Sequence, residues 1–177
     1  MREGIATGNN VYKLYDVETG RALDGAVSVE LPSFELTSNS FKGAGVGGEI
    51  NVPNPGVMSA QTATISFPKI YSEITKCMEL GTTRTLDLRN EIIVNNKDTH
   101  ALEKVPDRWV LKGPLSQANP GKVEQSVAGD SSVVMQIYYA HHWLDGDEVL
   151  EWDPFKGIYT VNGKDLMEET RRNVFVG

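Results

Sequence analysis

The chain has one cysteine, Cys77, and three histidines in 177 residues. A lone cysteine forms no internal disulfide and fits a reducing compartment. Basic residues are outnumbered, 17 Lys and Arg against 24 Asp and Glu, for a formal charge of −7. Binding to phosphate backbones draws on clustered Lys and Arg that release counterions, so this balance argues against a nucleic-acid grip and against an anionic membrane surface. No apolar run approaches the ~18 residues of a membrane span. The first ten residues hold no apolar core of the signal-peptide kind. Gly-x-Ser-x-Gly, His-Glu-x-x-His and Gly-Lys-Ser/Thr motifs are all missing.

What is abundant is β-branched. Val and Ile together number 27 against 13 Leu, and Thr adds 12. Branching at Cβ suits a pleated surface better than a helix. With 40% hydrophobic residues the chain has ordinary globular content, and its length points to one domain over residues 1–177. A soluble, acidic, β-rich domain made in the cytosol is the first expectation.

Alternation of apolar and polar residues predicts strands at 11–17, 26–36, 57–67, 84–94, 107–115, 132–144, 148–152 and 157–161. Asp145-Gly146 and Asn162-Gly163 are hairpin turns. Ile70, Ile74, Cys77 and Met78 form a stripe that predicts an α-helix over 70–80, ended by Gly81. A short terminal helix is expected at 166–174, and 116–130 reads as connection. Residues 38–57 carry Gly43, Gly45, Gly47, Gly48, Pro53, Pro55 and Gly56. Irregular loops of that length inside compact domains are uncommon and usually functional. The fold expected is mainly β: a β-sandwich or small barrel of about seven or eight antiparallel strands, with one flanking helix and a long Gly/Pro-rich loop.

Several pieces of apparent chemistry dissolve on inspection. Gly43-Ala44-Gly45-Val46-Gly47-Gly48 spells G-x-G-x-x-G, but a dinucleotide site needs a helix to open at the third glycine. Pro53 and Pro55 follow too soon for one. His141 and His142 are neighbours on a strand and point to opposite faces, so the pair cannot chelate one ion. Asp145, Asp147, Glu148, Glu151 and Asp153 lack the spacing of a calcium loop and read as a solvated hairpin tip. No catalytic residue, cofactor or metal is therefore expected. Two weaker alternatives remain. One is a monomeric β-sandwich ligand-binding module displaying Trp109, Trp143 and Trp152; the other is a small enzyme using His141 or His142 with Asp145.

Read end to end, the pattern resembles the major tail tube protein of bacteriophages with contractile tails. The resemblance runs through Gly25-Ala26-Val27-Ser28-Val29-Glu30-Leu31-Pro32, Phe41-Lys42-Gly43-Ala44-Gly45, Phe67-Pro68 and Leu80-Gly81. It continues in Tyr138-Tyr139, Asp145-Gly146-Asp147-Glu148-Val149, Asp153 and Val161-Asn162-Gly163-Lys164-Asp165, then Arg171 or Arg172 and Val176-Gly177. It implies a structural, non-enzymatic subunit that assembles with itself into hexameric rings, stacked as a hollow tube inside a sheath. Tubes of phage-like bacteriocins and other contractile injection systems share this part.

The implied partners are the tail sheath protein, baseplate or tube-initiator and tail-terminator proteins, and a tape-measure protein or DNA in the lumen without specific binding. No membrane partner is implied. The place would be the virion tail, assembled in the bacterial host cytoplasm. The 38–57 loop would be the arm reaching a neighbour, with Phe41, Lys42, Val46, Ile50, Val52 and Val57 at the subunit interface. Open strand edges would serve assembly, and net negative charge would keep DNA from adhering to the lumen.

Overall fold

A computed structural model describes residues 4–43 and 47–174. Thirteen strands follow in chain order: β1 Gly4–Asp16, β2 Arg21–Ala22, β3 Ser28–Glu30, β4 Leu36–Phe41, β5 Ile50–Met58, β6 Gln61–Phe67, β7 Thr83–Asn96, β8 Leu102–Asn119, β9 Ser131–Ile137, β10 Tyr139–Leu144, β11 Asp147–Asp153, β12 Ile158–Val161 and β13 Lys164–Asp165. A 3₁₀ helix, Ser72–Met78, lies between β6 and β7, and α1, Glu168–Val174, follows β13.

Two layers share one long strand. The larger runs β13-β12-β11-β10-β8-β7-β1-β2, all antiparallel. The smaller runs β3-β6-β9 and joins the C-terminal end of β8. β9 and β10 are consecutive along β8, which they leave in different company: β9 turns to β6 and β10 to β11. The change of layer occurs at Tyr138, whose N–H donates to the Lys112 carbonyl at 2.8 Å. Gly113 sits opposite. A Cβ there would fall 1.7 Å from the Gln136 carbonyl oxygen, so only glycine lets the two backbones approach at the fold line.

The core lies between the layers. Leu14, Leu86, Leu88 and Leu111 on the larger sheet meet Ile65, Phe67, Val133 and Met135 on the smaller, all buried. The alternation of buried and half-buried residues in β6 and β9 is the period-2 pattern that the sequence shows. Trp152 joins this core, its ring edge-on to Phe34 with centroids 5.8 Å apart. The expected mainly β, antiparallel architecture is therefore present, as is the short terminal helix.

The elements differ from expectation in four places. Helical structure is found at 70–80, but as a 3₁₀ turn; no side chain caps it, and Ile74 and Cys77, three apart, are its buried residues. At three residues per turn that spacing stacks on one side, which leaves Met78 exposed rather than on the buried stripe. Strands outnumber the expected seven or eight: β2 and β13 are two-residue pieces, β4 and β5 fall mostly in the supposed loop, one expected strand divides, and the expected 26–36 strand keeps only β3. The 132–144 strand divides in two at the layer change. The supposed irregular loop at 38–57 contains most of a hairpin, β4 with β5, that makes a sheet of its own.

Candidate assembly surfaces

The β4–β5 hairpin pairs a polar strand, Leu36–Phe41, with Ile50–Met58, where Ile50 and Val52 fall on one face. Its far half is regular: Ser38 faces Pro53, Asn39 faces Val52, Ser40 faces Asn51 and Phe41 faces Ile50. Nearer the body a register shift separates these pairs from Leu36 and Met58. Pro53 and Pro55 explain this, since proline offers no N–H to the ladder and strands carrying it lie at edges or bulges. The irregular stretch is held by side chains. Asn39 donates to Asn54 Oδ1 at 3.2 Å, Asn54 donates to Thr37 Oγ1 at 3.3 Å, and the Thr37 hydroxyl donates to the Val57 carbonyl at 3.2 Å.

The root of the hairpin is packed. Gly56, at φ 80, sits so close to Met167 that a Cβ would lie 2.2 Å from its sulfur. The far half stands clear of the core: Phe41 is 51% exposed, Ile50 47% and Val52 46%, and at the root Val57 also faces solvent. Lys42 Nζ lies 3.2 Å from Glu49, and the Ser40 hydroxyl donates to the same carboxylate. Those two hydrogen bonds, Ser40's the larger, hold Glu49 below the ordinary carboxylate range.

A second candidate surface is the edge of β1. The strand pairs with β7 along its length, but its other side meets β2 only at Tyr15 and Asp16. Residues 4–13 have no strand partner there among the described residues. Ile5 and Val11 are exposed along this edge, and Leu102 is exposed near the turn joining β7 to β8. That turn is built on Asn96, whose side-chain oxygen accepts the N–H groups of Asp98 and Thr99.

The outer face of the larger sheet carries an ion network. Asp87, 5% exposed at its side chain, receives Arg108 at 2.8 Å and Arg89 at 2.9 Å. Burial alone would push its carboxyl up, but the two guanidinium groups outweigh burial and leave it below its ordinary range. On the inner face, His142 Nε2 lies 2.6 Å from Asp107, and its ring stacks on Trp109 at 4.0 Å.

A family model described as phage tail tube protein FII matches residues 14–174. The chain belongs to the phage tail tube family. The Tail tube protein of Escherichia phage P2 is 26% identical over 152 residues, covering 84% of this chain and 86% of that protein. The subunit is thus a structural component of a tail tube, from a family that is structural rather than enzymatic.

Of the interface residues expected from the sequence, Phe41, Lys42, Ile50 and Val52 come together on the far half of the hairpin. Val57 lies in its irregular root, and Val46 falls outside the described residues. The G-x-G-x-x-G stretch leads into strand β5, not a helix. Trp109, Trp143 and Trp152 do not share one platform. Trp152 is in the core, and the pairing of Trp109 with His142 and of Arg108 with Trp143 puts Trp109 and Trp143 on opposite faces. Among the described residues no helix is long and apolar enough to cross a membrane. The β1 edge was missed because Ala6-Thr7-Gly8-Asn9-Asn10 has poor strand character. Its strand pairing is imposed by β7, across register shifts at Ala6/Gly8 and Asn9/Val11.

Proposed function

We propose that this chain is the repeating subunit of a contractile-type tail tube, that residues 1–177 act as one tail-tube domain, and that six copies close into a ring. Rings stack into a hollow tube within a sheath. The observation that carries this reading is the β4–β5 hairpin: a separate two-stranded sheet, in a protein of this family, whose Phe41, Ile50, Val52 and Val57 stay about half exposed. Apolar side chains left in water on a protruding element are the usual mark of a surface completed by another chain. In the ring, Phe41, Lys42, Val46, Ile50, Val52 and Val57 meet a neighbouring subunit, and the open β1 edge continues a neighbour's sheet.

The wider setting follows from the same role. Sheath protein packs outside, baseplate-initiator and terminator proteins bind the ends, and a tape-measure protein or DNA occupies the lumen. A subunit charge of −7 disfavours adhesion of phosphate to that lumen. Assembly takes place in the host cytoplasm and the product belongs to the virion tail. Negative-stain electron microscopy of the purified chain over a wide concentration range, with and without a nucleating baseplate, tests the reading. Annuli or hollow tubes of six-fold symmetry are expected. Compact monomers under every condition would overturn it.

A further inference from the structure

Beyond assembly, the β10–β11 hairpin presents a mixed nitrogen–oxygen cluster on the outer face of the larger sheet. His141 lies directly across from Glu151. In an unbroken ladder the next pair on that face would be Trp143 with Val149. A bulge between His142 and Trp143 changes this, and Trp143 instead faces Glu148. The extra residue turns Glu148 onto the face that already holds His141 and Glu151. One ligand atom from each of the three residues lies within 4.8 Å of the others.

Neighbouring side chains hold the histidine ring. Trp143 stacks on the His141 ring at 3.6 Å, and Arg108 covers that tryptophan with its guanidinium 5.2 Å from the ring centroid. His141 Nδ1 lies 2.9 Å from the Tyr139 hydroxyl, which is 3.4 Å from Glu151 Oε1. This leaves His141 Nε2 as the nitrogen turned to the carboxylates. It is shielded from solvent and has no hydrogen-bond partner, although Glu148 Oε2 stands 3.3 Å away. A proton on Nε2 would point at neither carboxylate in bonding geometry. Two anionic groups converging on a ring nitrogen call for a cation placed among the three.

We propose that His141, Glu148 and Glu151 form a binding site for a divalent transition-metal ion of the zinc class, with Nε2 and one oxygen from each carboxylate as ligands. Imidazole nitrogen and carboxylate oxygen are both zinc ligands, and three protein ligands leave a fourth position for water. Ligand atoms around a tetrahedral zinc stand about 3.4 Å apart. The Nε2 to Glu148 separation of 3.3 Å already matches, and the Glu151 oxygen lies within 4.8 Å of both. The Tyr139 contact then serves as the outer hydrogen bond that orients a ligating histidine, with Nδ1–H donating to the phenol oxygen. Glu148 is 44% exposed at its side chain, so the ion has access from solution. Bound metal would clamp β10 to β11.

The test is calorimetric titration of the metal-stripped full chain with ZnCl2, alongside the fluorescence of Trp143 during titration with Ni²⁺. One zinc per chain is expected, with a rise in melting temperature, and nickel should quench the stacked tryptophan. Glu148→Gln, a change at a partly exposed side chain, should weaken zinc at least tenfold, as should Glu151→Gln. His100→Ala, in the turn between β7 and β8, should bind as the parent does. Absence of stoichiometric zinc binding up to millimolar concentration would overturn the proposal. So would binding that both Gln variants retain in full.

Discussion

The body and the hairpin arm spend the same kind of residue in opposite ways. In the body, Val133, Ile65 and Phe67 are almost wholly removed from water between two sheets. In the arm, Ile50 and Val52 alternate along β5 and Phe41 faces Ile50, yet all three stay about half exposed, because among the described residues β4 and β5 pair only with each other. Each buried side chain of this size contributes roughly 1.5–3 kcal/mol of transfer free energy to folding. Exposed ones withhold it until another surface covers them. Strand pattern alone therefore does not separate folding from assembly; what separates them is whether a second layer is present.

The comparison breaks hardest in the body. Phe67→Ala should lower stability by roughly 3–5 kcal/mol in urea denaturation, since the cavity adds to the lost transfer energy. Gly113→Val should yield no soluble folded chain, because its side chain meets the Gln136 carbonyl where the layers part. A Phe67→Ala protein as stable as the parent would mean that the two layers do not form a shared core.

Removing residues 40–55 should do the reverse. The shortened chain should keep its circular dichroism β signal and melt within about 1 kcal/mol of the parent, yet form no tubes. Loss of the β signal would place the arm in the folding unit and erase the distinction.

Acid sharpens the contrast further. The folded Asp87 carboxyl sits below its unfolded value of about 3.9, so its pairing with Arg108 and Arg89 stabilises the chain above that pH and is lost as pH falls through the folded value. Melting temperature should drop between pH 5 and 2.5 in the parent, and less steeply in Asp87→Asn. Equal slopes would show that this pair does not govern acid stability. Glu49 in the arm is shifted in the same direction, but its side chain is about half exposed to solvent. Its carboxyl, followed by NMR titration, should move toward the ordinary value in 0.5 M NaCl while that of Asp87 holds. This is the smallest of the effects. A salt-insensitive Glu49 would mean that the arm is less open than its exposed residues indicate.

Much of this was legible before any coordinates. Asp145-Gly146 and Asn162-Gly163 dictate two-residue turns with positive φ, and both appear. Alternation located β6, β7 and β11 to within a few residues. The arm was found by its glycines and prolines, yet taken for an irregular loop, because Pro53 and Pro55 mask a ladder that runs around them. His141 and His142 lie on opposite faces as expected and Glu148 is exposed near the hairpin tip as expected, but its place on the face of His141 and Glu151 was not legible. A bulge shifts one residue of register, and nothing local in Val149 announces it.

The sequence by itself determined the strand-rich composition, the hairpin turns and the faces along each strand, because backbone sterics and side-chain period act over a few residues. Only the tertiary structure decided which faces meet. Register across β10 and β11, the change of layer at Tyr138 and the edge of β1, left largely unpaired among the described residues, all depend on strands distant in the chain. Their free energies arise from pairing and burial between those strands, and no local pattern contains them.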